Sequence, residues 1–105
     1  MKIYNKVGHE KHKISIIIPY RNEEKFIGKC LDSIISQDYP MDKLEVFVVD
    51  GISEDNTRKI VKRYIKEYSF IKILKNPKKI VPTALNIGIK NTKGELIIRM
   101  DAHNI

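Results

Sequence analysis

The sequence is short of the residues that mark several classes of protein. It has one cysteine and no tryptophan, and no apolar run in it is long enough to span a bilayer. A single cysteine excludes an internal disulfide and is typical of a reducing compartment, and we expect no secretory signal before the first apolar segment. Gly-x-Gly-x-x-Gly and a Gly-rich loop ending in Gly-Lys-Ser/Thr are both missing, which argues against a dinucleotide oxidoreductase and a P-loop NTPase.

What the sequence does contain is typical of one folded domain with a basic surface. Its 105 residues are 42% hydrophobic and 31% charged, with a formal net charge of +7. That charge favours anionic partners, namely nucleotide phosphates, nucleic acid or an acidic membrane surface, without selecting among them. Residues 1–12 are polar and basic and predict a flexible arm, so the folded domain is expected over residues 13–105. Cys30 lies on an apolar helical stripe and is expected in the core.

Apolar periodicity predicts an α/β fold in which strands and helices alternate. The lengths of these alternating segments fit right-handed crossovers and a parallel sheet with flanking helices. Pro19 is expected to stop the first strand because it has no N–H for a ladder, and the last strand is expected to be covered on both faces. The strands are predicted at Ile14–Ile18, Leu44–Val49, Phe70–Leu74 and Leu96–Met100, and the helices at Phe26–Ile35, from about Arg58 to Tyr68, and from Pro82 to about Thr92.

Polar clusters follow three of the four predicted strands. They are Tyr20–Glu24, Asp50–Asp55 and Asp101–His103. Because ligands of parallel α/β sheets bind beyond the carboxyl ends of the strands, these clusters predict a site for a nucleotide-type ligand.

The last cluster is a candidate metal site. In an extended segment Asp101 and His103 point to the same side, and a carboxylate with an imidazole is a plausible ligand pair for a divalent cation. A polar strand end without a metal is the commoner explanation of an isolated Asp-x-His.

The other candidate residues have structural as well as functional interpretations. Asp50 precedes Gly51, which lets the chain turn, and its carboxylate could accept from a ribose hydroxyl or a base N–H. Asn86 is either a surface or locally bonded amide, or an interior amide that braces the last strand or touches a sugar. Ser53 and Asp55 are expected as helix N-caps. Lys78 and Lys79 are expected to be solvated, with contact to a diphosphate as the alternative. The basic face of residues 58–63 is also expected to be solvated, with binding of nucleic acid as the alternative.

Taken in order, the motifs resemble the family 2 glycosyltransferases with the GT-A fold. The match begins with Ile-Ser-Ile-Ile-Ile-Pro-Tyr-Arg-Asn-Glu-Glu, Cys-Leu-Asp-Ser-Ile and Glu-Val-Phe-Val-Val-Asp-Gly-x-Ser-x-Asp-x-Thr. It continues with Ala-Leu-Asn-x-Gly and Gly-Glu-Leu-Ile-Ile-Arg-Met-Asp-Ala-His. These motifs cover almost the whole chain from Lys13, and the Asp-Ala-His variant resembles transferases of bacterial exopolysaccharide assembly.

The resemblance implies a nucleotide-diphosphosugar donor at the carboxyl edge of the sheet. Pro19, Tyr20 and Glu23 would flank the nucleoside, and Asp50 would contact its base or ribose. Asn86 and Asp101 would complete the donor site, with Asp101 and His103 as ligands of Mn²⁺ or Mg²⁺. Uridine is the commonest base in the family.

The family's chemistry implies inverting transfer to a saccharide or lipid-linked acceptor during cell-surface polysaccharide synthesis. An acidic side chain would deprotonate the acceptor hydroxyl, and that base is expected beyond Ile105, in an acceptor half that this chain lacks. The isolated chain is therefore expected to be inactive and to self-associate through the face exposed by truncation. It is expected in the cytoplasm, with association to the inner face of the membrane.

Two positions depart from the family pattern. Gly51 replaces the second carboxylate of the nucleoside motif, and His103 replaces the last aspartate of the metal motif, where an imidazole suits Mn²⁺ better than Mg²⁺. Two other functions are compatible with the sequence. One is a non-catalytic nucleotide-binding module of the same fold. The other, less favoured, is a basic nucleic-acid-binding domain, which would show steeply salt-dependent binding.

Overall fold

Residues 12–102, which the computed structural model describes, form a four-stranded parallel sheet with helices on both faces. The predicted arm at residues 1–12 falls outside this range apart from His12. No helix between residues 12 and 102 is both long and apolar enough to cross a membrane. The strands are β1 (Ile14–Tyr20), β2 (Leu44–Asp50), β3 (Ile71–Lys75) and β4 (Leu96–Arg99), in the order β3-β2-β1-β4, and the helices are α1 (Ile27–Ile35), α2 (Thr57–Glu67) and α3 (Val81–Asn91), with a short 3₁₀ helix at Met41–Lys43.

The centre of the sheet carries the core. Every residue of β1 and β2 is buried, as expected for β-branched strands covered on both faces. Alternate side chains point to opposite sides: Ile16 and Ile18 pack in the cluster with α1 and α2, whereas Ile17 packs with Ala84 of α3. Cys30 is fully buried in the first cluster, so its predicted place in the core is confirmed.

The first strand does not stop at Pro19. β1 continues to Tyr20, and Pro19 pairs in register with Val49. The carbonyl of Ile17 accepts from Met100, on the β4 side, and the carbonyl of Tyr20 accepts from Gly51, on the β2 side. Alternate residues thus face alternate neighbours, so the ring nitrogen of Pro19 faces the β4 side beyond the last paired residue of β4. No ladder bond is lost there, which explains why the strand tolerates the proline.

The last strand is also different from its prediction. β4 is an edge of the described sheet, and Leu96 and Ile97 are 49% and 48% exposed rather than covered on both faces. The opposite edge strand, β3, exposes Lys72 and Lys75 instead, and lysine on an edge discourages pairing with another chain. The two edges of the sheet therefore differ in chemistry, with the apolar one at β4.

Helix α3 lies directly against β1. A Cβ at Gly88 would be 2.7 Å from Cγ2 of Ile17, so the absence of a side chain allows this close approach. The packing places the first turn of α3 beside the carboxyl end of the sheet.

A buried polar network closes the opposite end of the sheet. The Glu45 carboxylate accepts from the Ser15 hydroxyl at 2.5 Å and from the Lys93 amide at 2.6 Å, and the Gly94 amide donates to the Ser15 hydroxyl at 2.9 Å. Burial opposes ionisation of Glu45, but these hydrogen bonds and nearby lysines outweigh it and lower its pKa. The network joins the segment before β4 to β1 and β2.

The lowered pKa predicts a pH-dependent contribution to stability. Because Glu45 binds protons less readily in the folded state, its contribution is complete above the unfolded-state pKa of about 4.3 and is lost as the pH falls through the lower folded-state value. We expect Glu45→Gln to lower the free energy of unfolding by about 2 kcal/mol at pH 7, and by less at pH 4, in urea titrations. Glu67→Gln, which changes an exposed carboxylate, is the control. A Glu45→Gln deficit that stays constant between the two pH values would contradict the proposed role of the charge.

Candidate functional site

A cleft of about 230 Å³ opens at the carboxyl edge of the sheet. It brings together Pro19 and Tyr20 at the end of β1, Glu23 in the following loop, and Asp101 after β4, all of which the sequence had singled out. Asn86 is exposed on α3 and does not line the cleft, and His103 lies outside the described residues. The lining residues are Pro19, Tyr20, Arg21, Glu23, Asn76, Lys79, Ile80, Val81, Ala84, Asp101 and Ala102.

Two loops beside the cleft are joined by hydrogen bonds between backbone and side chains. The Asn22 amide donates to the Ser53 hydroxyl at 3.0 Å, and the Glu54 amide donates to Asn22 Oδ1 at 2.8 Å. The Glu23 amide donates to the Thr57 hydroxyl at 2.9 Å. Asn22 adopts a positive φ of 52°, a conformation that asparagine tolerates better than most residues. The loop after β1 therefore takes its shape from the loop after β2.

Neither Ser53 nor Asp55 is the N-cap residue of α2, because that position is Asn56. Asp55 Oδ1 accepts from the Thr57 amide at 2.9 Å, so this carboxylate does satisfy an amide at the start of α2. Burial works against its charge, but hydrogen bonds, chiefly from Thr57, lower the pKa of Asp55. Ser53 is not a cap, because its hydroxyl accepts from Asn22 in the neighbouring loop.

The carboxylate of Asp50 is fully buried and does not line the cleft. Its Oδ1 accepts from the Ser53 amide at 3.1 Å, and its Oδ2 lies 3.5 Å from Nε of Arg58. Arg58 also donates from Nη2 to the Ser53 carbonyl at 3.0 Å, so it belongs to this turn rather than to a solvated basic face. The predicted contact of Asp50 with a nucleoside stays a prediction, and the observed role of its carboxylate is to hold the turn.

Tyr20 lies beside this buried charge. Its hydroxyl and Asp50 Oδ2 are buried side-chain atoms that have no hydrogen-bond partner within residues 12–102. Burial, and then the negative charge of Asp50, raises the pKa of Tyr20. The phenol is therefore neutral at physiological pH and faces the interior.

Asn76 is a site residue that the sequence analysis did not identify. Its backbone amide donates to the Asp50 carbonyl at 2.7 Å. Its side-chain Nδ2 donates to the Ile80 carbonyl at 2.8 Å, and its Oδ1 accepts from the Thr83 hydroxyl at 2.9 Å. It thus joins the end of β2 to the first turn of α3 and shapes one wall of the cleft. The only signal in the sequence was an asparagine before a proline after a strand. Of Lys78 and Lys79, which follow Pro77, Lys79 lines the cleft.

Arg21 is the second residue of the cleft that the sequence did not single out. Its Nε donates to the Gly51 carbonyl at 3.1 Å, and its Nη2 lies 3.3 Å from Glu54 Oε1. The sequence placed Arg21 in a polar cluster but gave no reason to separate it from its neighbours.

Asp101 is the described member of the predicted metal pair. Its half-buried carboxylate lines the cleft, and its Oδ1 lies 3.2 Å from Nη2 of Arg99. Within residues 12–102 no three His, Cys, Asp or Glu side chains form a group that could hold a metal ion. A carboxylate that reaches the cleft still fits a divalent cation whose other ligands come from a diphosphate and water.

A parallel α/β sheet with a cleft at the carboxyl ends of its strands, lined mainly by apolar residues and by a few charged ones, is the arrangement of nucleotide-binding α/β domains. The chain belongs to glycosyl transferase family 2, whose family model matches residues 15–105. Its fold is the GT-A fold of the structures it resembles, so the fold expected from the sequence is confirmed.

Three similar proteins illustrate the relationship. A dolichyl N-acetyl-alpha-D-glucosaminyl phosphate 3-beta-D-2,3-diacetamido-2,3-dideoxy-beta-D-glucuronosyltransferase from Methanococcus voltae is 46% identical over 92 residues, which is 86% of this chain and 29% of that protein. The mannosyltransferase PcManGT from Pyrobaculum calidifontis, in complex with GDP-Man and Mn²⁺, superposes with a TM-score of 0.83 at 33% identity, over 90% of this chain and 28% of that one. TarS 1-349 of S. aureus in complex with UDP-GlcNAc superposes with a TM-score of 0.78 at 32% identity, over 87% of this chain and 26% of that one. The chain thus spans less than a third of each.

We expect Asn22 to stabilise the joined loops in two separable ways, through its side-chain acceptor and through its backbone conformation. Asn22→Ala removes the acceptor for Glu54 and puts alanine at a positive φ, so we expect a loss of about 1–2 kcal/mol in the free energy of unfolding. Asn22→Gly removes the same acceptor but tolerates the positive φ, so its loss should be smaller. Urea unfolding of the two variants measures the difference, and a glycine variant no more stable than the alanine variant would show that the backbone conformation contributes nothing.

Proposed function

We propose that this chain provides the donor side of an inverting glycosyltransferase and binds a nucleotide-diphosphosugar in the cleft at the carboxyl edge of the sheet. The observation that supports this most directly is the convergence of Pro19, Tyr20, Glu23 and Asp101 on one cleft. Asp101 is far from the other three in the sequence, and the family pattern assigns all four to donor binding.

The cleft carries groups of both signs, and they suit different parts of a donor. Lys79 and Arg21 line it and can approach phosphate oxygens or a nucleoside, while Glu23 offers an acceptor for ribose or base donors. Uridine, the commonest base in the family, and guanosine, which the GDP-Man complex of PcManGT contains, are the bases to compare. Asp50 would act on the nucleoside indirectly, through the turn that it holds.

Asp101, together with His103, would hold Mn²⁺ or Mg²⁺ at the cleft. Bound there, a divalent cation supplies neutralisation of the charge that develops on the leaving nucleotide. Nη2 of Arg99 lies 3.2 Å from Oδ1 of Asp101 and orients this carboxylate. The complex of PcManGT with GDP-Man and Mn²⁺ supports the use of a divalent metal.

The acceptor of the whole enzyme is a saccharide or lipid-linked saccharide of the cell surface. The name of the Methanococcus voltae relative includes a dolichyl-linked sugar phosphate, which supports an acceptor of this class. The acidic base that deprotonates the acceptor lies outside residues 12–102, because the acids that reach the cleft there, Glu23 and Asp101, match donor-side positions.

Calorimetric titration tests donor binding without requiring turnover. We expect one of UDP, GDP and ADP to bind in the presence of Mn²⁺, with binding lost on addition of EDTA. Asp101→Ala should weaken the Mn²⁺-dependent affinity by at least about tenfold, as expected for loss of a metal ligand.

Asp42→Ala is the matched control, because Asp42 is exposed in the 3₁₀ helix before β2 and is remote from the cleft. It should bind as the unmodified chain does. Equal affinity with and without Mn²⁺, unchanged by Asp101→Ala, would contradict the metal site. Failure of all three nucleotides to bind would contradict the donor site.

A further inference from the structure

Helix α2 carries a stripe of exposed basic residues that lies apart from the cleft. We propose that this basic stripe, formed by Lys59, Lys62, Arg63 and Lys66, docks the protein on a membrane surface that contains anionic lipids. The choice of a membrane rests in part on the lipid-linked acceptor proposed above, whereas the stripe itself does not depend on nucleotide binding.

The four residues of the basic stripe lie on one side of the helix, because their spacing is i, i+3, i+4 and i+7. Thr57 and Val61 are the buried residues of the same helix, so the stripe points away from the sheet. All four residues are exposed, and none of them forms an ion pair with another residue between positions 12 and 102. The charge of the stripe is therefore available to a partner.

The basic stripe weakens the helix that carries it. Two pairs of its cations are spaced four residues apart, and like charges at this spacing destabilise a helix. Of the acids on α1 and α2, Asp32 accepts from the Tyr64 hydroxyl at 2.6 Å, and Glu67 at the end of α2 can balance one of the four charges. An anionic partner would relieve the remaining repulsion, which favours binding.

The basic charge of the helices is concentrated on this side of the sheet. Lys25 and Lys29 are exposed just before and within α1, which packs on the same face as α2. Helix α3 on the other face has one basic residue, Lys90, and its exposed side chains include Asn86 and Ile89. The domain therefore has one cationic helical face, which is complementary in charge to an anionic surface.

A membrane fits this face better than nucleic acid does. Four or more Lys and Arg residues on one side of an amphipathic helix are typical of binding to anionic lipids. Helix α2 packs against the sheet and α1, so it cannot enter a major groove as a protruding helix does. Its aromatic residue, Tyr64, is half-buried and hydrogen-bonded to α1, which prevents its ring from serving as a platform for bases.

The orientation that results suits a lipid-linked acceptor. Thr57 begins α2, and its hydroxyl accepts from the amide of Glu23, a residue that lines the cleft. The basic stripe therefore starts at the end of the domain where the cleft opens. With the stripe on the lipid, the cleft would open sideways, one helix diameter or about 10 Å above the surface.

Sedimentation with vesicles measures this docking without requiring a nucleotide. The probes are vesicles of phosphatidylcholine alone and vesicles of equal parts of phosphatidylcholine and phosphatidylglycerol. We expect the chain to bind the anionic vesicles selectively, and less tightly as the salt concentration rises. Lys62→Gln combined with Lys66→Gln should lower the partition coefficient by about 25-fold, since each cation near an anionic surface contributes about fivefold.

Lys72→Gln combined with Lys90→Gln is the matched control, because it removes the same charge from exposed positions on the opposite face. Lys72 pairs in register with Phe47, whose side chain packs in the cluster with α3. This control should bind the anionic vesicles nearly as the unmodified chain does. Glutamine forms helix about as readily as lysine, so the variant of α2 should unfold at a urea concentration no lower than that of the unmodified chain.

Equal losses in the two double variants would overturn the inference, because net charge rather than the basic stripe would then control binding. Unchanged binding by the variant of α2, equal binding to both kinds of vesicle, or binding to neither would also overturn it. If a mixed-sequence oligonucleotide binds through the stripe while anionic vesicles do not, the surface belongs to nucleic acid. Vesicle binding through the stripe by a chain that binds none of UDP, GDP and ADP would contradict the donor site and support the stripe.

Discussion

The buried carboxylate of Asp50 is the constraint on which the cleft depends. A charge without solvent is costly unless it is paired and hydrogen-bonded, and here Ser53 and Arg58 supply the partners. The same residue accepts Asn76 through its backbone carbonyl, so one position at the end of β2 fixes both the loop that leads to α2 and the loop that leads to α3. The loop after β1 then takes its shape from hydrogen bonds to the first of these.

The general architecture could be predicted because it depends on patterns that are local in sequence. Alternating apolar strands and helices at crossover lengths define a parallel sheet, and polar residues after the strands mark its carboxyl edge. The continuation of β1 through Pro19 could not be predicted in this way, because it depends on which neighbour the proline faces. The exposure of Leu96 and Ile97 likewise depends on the position of β4 in the sheet order, which an apolar run does not reveal.

Within the site, the type of each residue predicted where it lies better than it predicted which groups it contacts. Tyr20, Glu23 and Asp101 do reach one cleft, since the ends of parallel strands meet at one edge. Asp50 was equally polar and equally close to a strand end, yet its side chain turns inward, where Arg58 from α2 meets it. The importance of Asn76 and Arg21 comes from contacts with Ile80 and Gly51, which are specified by the fold and not by a motif.

The pairing of β4 with β1 has a consequence for how the chain folds. The loops after β1 and β2 are joined by contacts between residues about thirty positions apart in sequence, such as Asn22 and Ser53. The hydrogen bond from the Glu95 amide to the Lys13 carbonyl, in contrast, joins residues near the two ends of the described chain. Closing the longer loop costs more conformational entropy, and contacts of large sequence separation form slowly. The loops after β1 and β2 are therefore expected to be ordered before Asp101 arrives, so that the carboxylate proposed to hold a cation is the last part of the cleft to be assembled.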